Sequence, residues 1–472
     1  MERKIYLALA AVLVGFLVYM LPLGLNPQAH KLLALLAATV LMWLFEVMPL
    51  GITALTAVAF AVVLGIADRK TAFANFAHPI IFLFIGSFLL AEAFSKYKID
   101  RYIALFVLSK DWVRKSSLIF IATVLFIPWF LSMWLSNTAT TAMLLPIVAG
   151  LLATLYPDGS WRNKSVKFLL LAIAYAASVG GITTPVGTPP NLIALGFLEK
   201  EGIQISFGEW ILKVLPISAL TFFALVLYTY RLIGRLPVDR IDLTTLKRGK
   251  LNSTQKVILF IFLSVVVLWL LPTFLGLLKN IVPPLEGVYL WVKHHLPTEV
   301  VALLGASLLF LIPVKEKKET ILTVGDIRKI DWDTILLFGG GLSLGSLMFK
   351  TGLVSYIGQN LAGILPSSEF MVLLILTTVV IFLTEISSNT ATANVFIPVV
   401  IGLSHQLGLD LEKTVMATTL ACSYAFMLPM ATPPNAIVFG FADIKISEMA
   451  RVGLVMNLIG IFIISTLVYF LF

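Results

Sequence analysis

The sequence predicts an all-α polytopic membrane protein of about eleven transmembrane helices plus two re-entrant helical hairpins, built as an inverted-topology repeat. Three observations carry this. Of 472 residues, 59% are hydrophobic and only 12% are charged, with a mean hydropathy of +0.99; soluble domains carry roughly a quarter charged residues. Apolar stretches of bilayer-spanning length, about 20 residues, recur along the whole chain. Two polar motifs each occur twice, in one order, inside apolar surroundings.

The first apolar stretch, 5–24, follows MERK and lacks the small-residue cleavage site of a signal peptide, so it reads as a retained helix. Further crossings fall near 30–48, 51–67, 76–96, 166–198, 209–233, 257–278, 299–313, 334–350, 412–442 and 451–472. Those at 166–198 and 412–442 are long and carry Gly and Pro breaks. Segments 117–156 and 368–407 are each about twice the length of one crossing. Each has the tripeptide SNT near its middle. A polar tip at that depth suits a re-entrant hairpin, because irregular backbone survives there only where protein or a water cavity surrounds it. Two crossings apiece would leave the parity unchanged.

The formal charge of +9 could point to nucleic acid, but in a membrane protein it reads as cytoplasmic loops rich in Lys and Arg. With the N-terminus inside, 23 of the 34 basic residues fall on the cytoplasmic side. The expectation is a multi-pass protein of the cell (inner) membrane, N-terminus cytoplasmic and C-terminus extracytoplasmic, with the lipid bilayer and no nucleic acid as partner. The single Cys422 excludes a disulfide within the chain and a thiol metal site.

SNTATTAMLLPIV at 136 matches SNTATANVFIPVV at 388, an offset of 252 residues. GTPPNLIALGF at 187 matches ATPPNAIVFGF at 431, an offset of 244. DRYIA at 100 parallels VSYIG at 354 more weakly. Each half therefore runs through crossings, an SNT hairpin, a TPPN-broken crossing and a last crossing. An odd number of crossings per half inverts the second half, the mark of a secondary transporter with its site where the repeats meet.

The motifs carry cation and anion chemistry. Ser132 and Ser136 stand four apart, as do Thr384 and Ser388, so on a helix each pair of hydroxyls shares one face. Hydroxyl, amide and freed carbonyl oxygens make a neutral hard-oxygen cage. Divalent ions usually recruit carboxylates, so such a cage suits a monovalent cation such as Na⁺. Polar residues can also simply join helices, but duplication with TPPN in train weighs against that. Pro breaks a helix and frees carbonyls upstream, and the half-helix beyond points its positive N-terminus into the site, which suits an anion. No Arg or Lys lies in the four motifs. Anion and cation are then tied electrostatically, the logic of symport. Glu385 is the one acid among them, with Met133 in its place in the first repeat; a hydrogen-bonding role is favoured over a proton relay. FGGGLSLG at 338–345 reads as close helix packing. An intramembrane enzyme would need a nucleophile and base or paired acids at depth, and a channel would not need duplicated hairpins around one site.

With SNT and TPPN each present twice, in order, the sequence resembles the divalent anion:sodium symporter family, the INDY-type dicarboxylate transporters. The resemblance covers nearly the whole chain. It implies a homodimer whose transport domain moves as an elevator against a scaffold domain. The parts would be 1–115 (scaffold), 116–233 (transport, first repeat), 234–256 (basic cytoplasmic linker), 257–366 (scaffold) and 367–472 (transport, second repeat). It implies a sodium site at Ser132, Ser136, Asn137 and Gly187 and another at Thr384, Ser387, Asn389 and Ala431. The dicarboxylate would lie between Ser136, Asn137, Thr138 and Ser388, Asn389, Thr390, with Thr188, Pro189, Thr432 and Pro433 nearby. Na⁺ is then the co-transported ion, with no organic cofactor, and the substrate a C4-dicarboxylate such as succinate, fumarate or malate. A sodium-independent exchanger, or a symporter preferring citrate or sulfate, would share the motifs.

Overall fold

A computed structural model describes residues 2–163, 165–241, 249–279, 281–282, 284–314 and 319–472. The middle of the expected basic linker, 242–248, and the basic residues at 315–318 lie outside the described residues. Among the described residues the regular secondary structure is helical, apart from one isolated bridge between Pro313 and Thr320.

The first half opens with α1 (Glu2–Met20), α2 (Pro27–Leu44), α3 (Leu50–Val63), the short α4 (Arg69–Phe73) and α5 (Pro79–Lys96). Asn26 starts α2 by accepting the Ala29 N–H, with Pro27 at the first helical position, where its missing donor costs nothing. A ten-residue helix follows, α6 (Ile99–Leu108), entered through left-handed Lys98 (φ 55°). The first hairpin is α7 (Ser117–Leu131) and α8 (Asn137–Leu155). Next come the broken pair α9 (Phe168–Gly181) and α10 (Pro189–Lys200), then α11 (Phe207–Ile233), begun by a Ser206/Glu209 capping box.

The second half starts with α12 (Ser253–Leu278), α13 (Leu285–His295), α14 (Thr298–Leu311) and the one-turn α15 (Val324–Ile327). The rest repeats the first half: α16 (Trp332–Lys350), α17 (Leu353–Ala362), the hairpin α18 (Glu369–Thr384) and α19 (Asn389–Leu407), the broken pair α20 (Leu411–Cys422) and α21 (Pro433–Ala442), and α22 (Ile446–Leu471).

Among the described residues eight helices are long and apolar enough to cross a membrane by themselves, or nine if the pair α13–α14, bent by 68°, is one span. The sequence leads to about eleven. The difference lies in helices such as α3, α9 and α20, which are interrupted or shorter than one full crossing. Both segments carrying SNT and both carrying TPPN are interrupted at the motif. The amphipathic α6 and α17 fall outside the expected crossings. α6 buries Ile99, Asp100, Ala104 and Leu108; α17 buries Leu353, Val354 and Gly358.

The halves interlock. α3 of the first packs on α16 of the second, and α5 of the first packs on α14 of the second. A Cβ added to Gly86 would lie 2.6 Å from Ala302 Cβ, and one added to Gly340 would lie 2.6 Å from Ala54 Cβ. These repeat-related contacts need a residue without a side chain, and the glycine-rich stretch of α16 is helix packing. The site-bearing helices are the deepest. All of α9 from Leu169 to Gly181 is buried, as is α20 from Thr414 to Cys422. α11 meets α22 beside them, and the Tyr424 hydroxyl donates to Thr221 Oγ1 at 3.0 Å.

Candidate functional site

In the first repeat, helix α7 stops at Leu131 and α8 starts at Asn137, so five residues cross the break. Across from them, α9 ends at the Gly180–Gly181 pair and the chain loops to Thr188. Thr188 is extended (φ −150°, ψ 143°), as a residue before proline prefers, and Pro189 then opens α10. Asn191 Nδ2 braces this loop by donating to the carbonyls of Thr184 (2.7 Å), Gly181 (3.1 Å) and Ile182 (3.3 Å). The Thr184 hydroxyl donates to Met133 O, joining loop to hairpin.

These contacts gather oxygens. Ser132 Oγ and Asn137 Oδ1 are buried without a hydrogen-bond partner. A Cβ on Gly187 would lie 2.8 Å from Ser132 O and 2.4 Å from Gly181 O, so only glycine fits there. A Cβ on Gly181 would lie 2.6 Å from Asn137 Oδ1. Buried acceptors without a donor are costly, by about 1–3 kcal/mol each, and a small cation among them removes that cost. The donor set is neutral oxygen throughout, which fits Na⁺.

The second repeat uses the same plan with one change. Thr384 Oγ1 lies 2.7 Å from Asn389 Oδ1 and 2.9 Å from Cys422 O. Asn435 Nδ2 donates to Ala425 O at 2.8 Å and Leu428 O at 3.1 Å, the counterparts of two Asn191 bonds. The change is Glu385. Its Oε1 accepts from Phe426 N (2.7 Å), Met427 N (2.8 Å) and Asn457 Nδ2 (2.7 Å), and its Oε2 from Leu428 N (3.0 Å). The carboxylate is therefore a brace for the α20–α21 loop, consistent with the hydrogen-bonding role favoured for it.

Between the repeats lies a cavity of about 700 Å³. Four helices begin on its wall: α8, α10, α19 and α21. Ser136, Thr188 and Ser388 precede three of them without capping them through their side chains. First-turn N–H groups are thus left for a ligand, and each helix N-terminus carries about half a positive charge. Every expected substrate residue lines this cavity: Ser136, Asn137, Thr138, Thr188, Pro189, Ser388, Asn389, Thr390, Thr432 and Pro433. Gly187 and Ala431 line it too. Ser132 and Thr384 are fully buried behind the wall, and Ser387 is half-buried and off the lining.

The opposite wall was not foreseen. It carries Glu46, Ser87, Glu92, Asp100, Asp331 and Asp333 from the helices around α3, α5 and α16. Lys329 reaches this wall but is held by Asp326 at 2.8 Å and Glu92 at 3.3 Å. Asp333 is also engaged, accepting the Gly51 N–H at 2.9 Å. The helix ends and amides of the motif side are therefore the groups left to face an anion in this cavity. Asn191, Asn435 and Asn457 were likewise missed as braces.

Residues 2–471 match the family described as "Sodium:sulfate symporter transmembrane region". An uncharacterized transporter of Haemophilus influenzae is 34% identical over 460 residues, 97% of this chain and 95% of that protein. One of Methanocaldococcus jannaschii is 35% identical over 442 residues, 93% of each. The sodium-dependent dicarboxylate transporter SdcS of Staphylococcus saprophyticus is 33% identical over 449 residues, 91% of this chain and 83% of that protein. Among solved structures, the Alcanivorax borkumensis YdaH transporter aligns with a TM-score of 0.57 over 87% of both chains at 16% identity, a likeness of fold.

Proposed function

The chain belongs to the divalent anion:sodium symporter family, a family of sodium-coupled membrane transporters and not of enzymes, and from that premise we propose that it imports C4-dicarboxylates such as succinate, fumarate or malate together with Na⁺. One observation carries the reading. Four helix N-termini meet at one cavity, with a buried neutral oxygen cluster behind the SNT wall of each repeat. The first cation would be held by Ser132, Ser136, Asn137 and Gly187, the second by Thr384, Ser387, Asn389 and Ala431. The SNT residues of both repeats would grip the two ends of the dicarboxylate, with Thr188, Pro189, Thr432 and Pro433 closing around it. Bound Na⁺ then supplies the positive charge that the motifs lack, so substrate and ion bind as a set.

The relatives described as sodium-dependent dicarboxylate transporters support a dicarboxylate over sulfate or citrate. Exchange without sodium is the second reading. A basic side chain in a cation site would favour it, and none of the eight positions is Lys, Arg or His. Movement of residues 116–233 and 367–472 as a transport domain against 1–115 and 257–366, in a homodimer, belongs to the same proposal. So does the orientation with the N-terminus inside.

Succinate uptake into proteoliposomes tests it. Uptake should follow an inward Na⁺ gradient and vanish when choline replaces Na⁺. Equal uptake in choline, accelerated by internal succinate, would instead establish exchange.

A further inference from the structure

Ala142, Pro146 and Gly150 stand four apart on α8, and all three are exposed. Their repeat counterparts on α19, Asn394, Pro398 and Gly402, are buried. Gly341 and Gly345 of α16 close over Asn394 and Pro398, and Val354 of α17 over Gly402. Ala142 and Pro146 face instead a crevice of about 440 Å³, which adjoins the central cavity at Ser95 and Asp100. Ala142, Met143, Pro146 and Ile147 form its apolar wall. Across it stand Ser95, Lys98, Asp100 and Arg101, at the end of α5 and the start of α6.

Lys98 and Arg101 are exposed, and neither joins an ion pair among the described residues. Asp100 is 5% exposed and turns one oxygen to the Arg101 N–H at 2.7 Å. The lip of the crevice therefore carries two exposed cations against one buried carboxylate, whose field Arg101 feels, and so keeps a net positive charge. Soluble anions would find the lip but gain nothing from the apolar wall. A phospholipid presents both parts at once, a phosphate and an acyl chain, and the chain's surroundings are lipid. Basic pockets between membrane helices hold anionic headgroups by this chemistry.

We propose that this crevice binds an anionic phospholipid, its phosphate at Lys98 and Arg101 and one acyl chain along Ala142, Met143 and Pro146. A zwitterionic lipid brings the same chain but sets its own cation beside the two on the lip. Seated there, the lipid occupies the space into which α8 would close further on α5 and α6, and so holds this arrangement of the two halves. That consequence rests on the proposed movement of the transport domain; the binding does not.

The full chain, purified in detergent without Na⁺ or dicarboxylate, is offered phosphatidylglycerol or phosphatidylcholine with identical chains. Native mass spectrometry counts the retained lipid. Phosphatidylglycerol should be retained about thirtyfold better, since each of the two surface cations contributes about 1 kcal/mol toward an anionic headgroup. K98Q/R101Q should erase the preference, and both residues are exposed enough for the variant to fold. A142W, which fills the crevice, should lower retention of both lipids. No preference in the wild-type chain, an undiminished preference in K98Q/R101Q, or displacement of the lipid by glycerol phosphate alone would each overturn the site. Uptake in vesicles with and without phosphatidylglycerol reads the consequence separately: a slower rate with the anionic lipid supports it, and equal rates with the lipid still bound overturn it alone.

Discussion

The Glu385 carboxylate accepts the Phe426 N–H at 2.7 Å, tying the tip of the second hairpin to the loop that follows α20. With Met427, Leu428 and Asn457 it has four donors and one task, to fix the carbonyls and amides around Thr384, Cys422 and Ala431. Glu385→Gln would turn an NH₂ group toward N–H donors. The expected result is a loss of stability of about 1–3 kcal/mol, the cost of buried donors left unpaired. Half-saturation for Na⁺ should rise with it. Unchanged stability together with a lost proton dependence of uptake would return Glu385 to the role of a relay.

Asn137 and Asn389 stand at the first positions of α8 and α19 and, in the proposed site, contact both ligands. Asn137→Ala and Asn389→Ala should each bring uptake to background while the purified protein still melts cooperatively. Na⁺ raises the melting temperature by mass action when it binds the native state. Losing one strong polar contact, about 1.5–3 kcal/mol, should cut that response roughly tenfold or more in effective affinity. Near-normal uptake in either variant would dismantle the shared site.

Much of this was legible because polar residues at membrane depth are rare and SNT and TPPN are duplicated. Hairpins, broken helices and the convergence of the motifs all follow from that. α6 and α17 were not legible, since helices of ten residues fall below any spanning yardstick; only the faint likeness of DRYIA and VSYIG marked them. The donors to Glu385 are mainly backbone N–H groups 41 to 43 residues away, which no side-chain pattern records. Asn191 and Asn435 belong to the TPPN motifs, yet a brace and a ligand look alike in sequence. The wall with Glu46, Asp331 and Asp333 depends on how α3 crosses α16, a tertiary fact.

Asp326 fastens the other side of the molecule. It accepts from Lys96 Nζ at 2.7 Å, Lys329 Nζ at 2.8 Å and the Thr323 N–H at 2.8 Å. Burial alone would raise its carboxyl, but the bonds from Lys329, Lys96 and Thr323 outweigh burial and hold it below the usual carboxylate range. A depressed carboxylate stabilises the fold above its ordinary value of about 3.9 and loses that contribution only as pH falls further. Asp326→Asn should therefore cost about 3 kcal/mol, and the gap to the wild-type chain should stay constant from pH 7 to about 5. Melting curves at several pH values check it; a gap that closes already near pH 6 would mean the carboxylate is not held this way.

Gly402 and Gly150 occupy the same place in the two repeats and meet opposite surroundings. A Cβ on Gly402 would lie 2.0 Å from Val354 Cγ1 and 2.8 Å from Val354 O, whereas one on Gly150 meets nothing within 4 Å. The seam between hairpin helix and amphipathic helix is thus tightly shut in the second repeat, whereas in the first α8 touches α6 only in part and is open at Gly150. If turnover exchanges the two, Gly150 must come against α6 as Gly402 now lies against α17, and a side chain there obstructs only that step. Gly150→Leu should leave melting temperature and Na⁺ affinity at wild-type levels, because its side chain enters open space. Uptake should nevertheless fall at least about tenfold, equivalent to about 1.4 kcal/mol on the rate-limiting step. Gly402→Leu should act the other way, lowering stability in the arrangement seen here by forcing α17 from α19, an overpacking cost of about 1–3 kcal/mol. Full uptake by Gly150→Leu would mean that α8 never closes on α6, and the elevator movement would have to be abandoned for this chain.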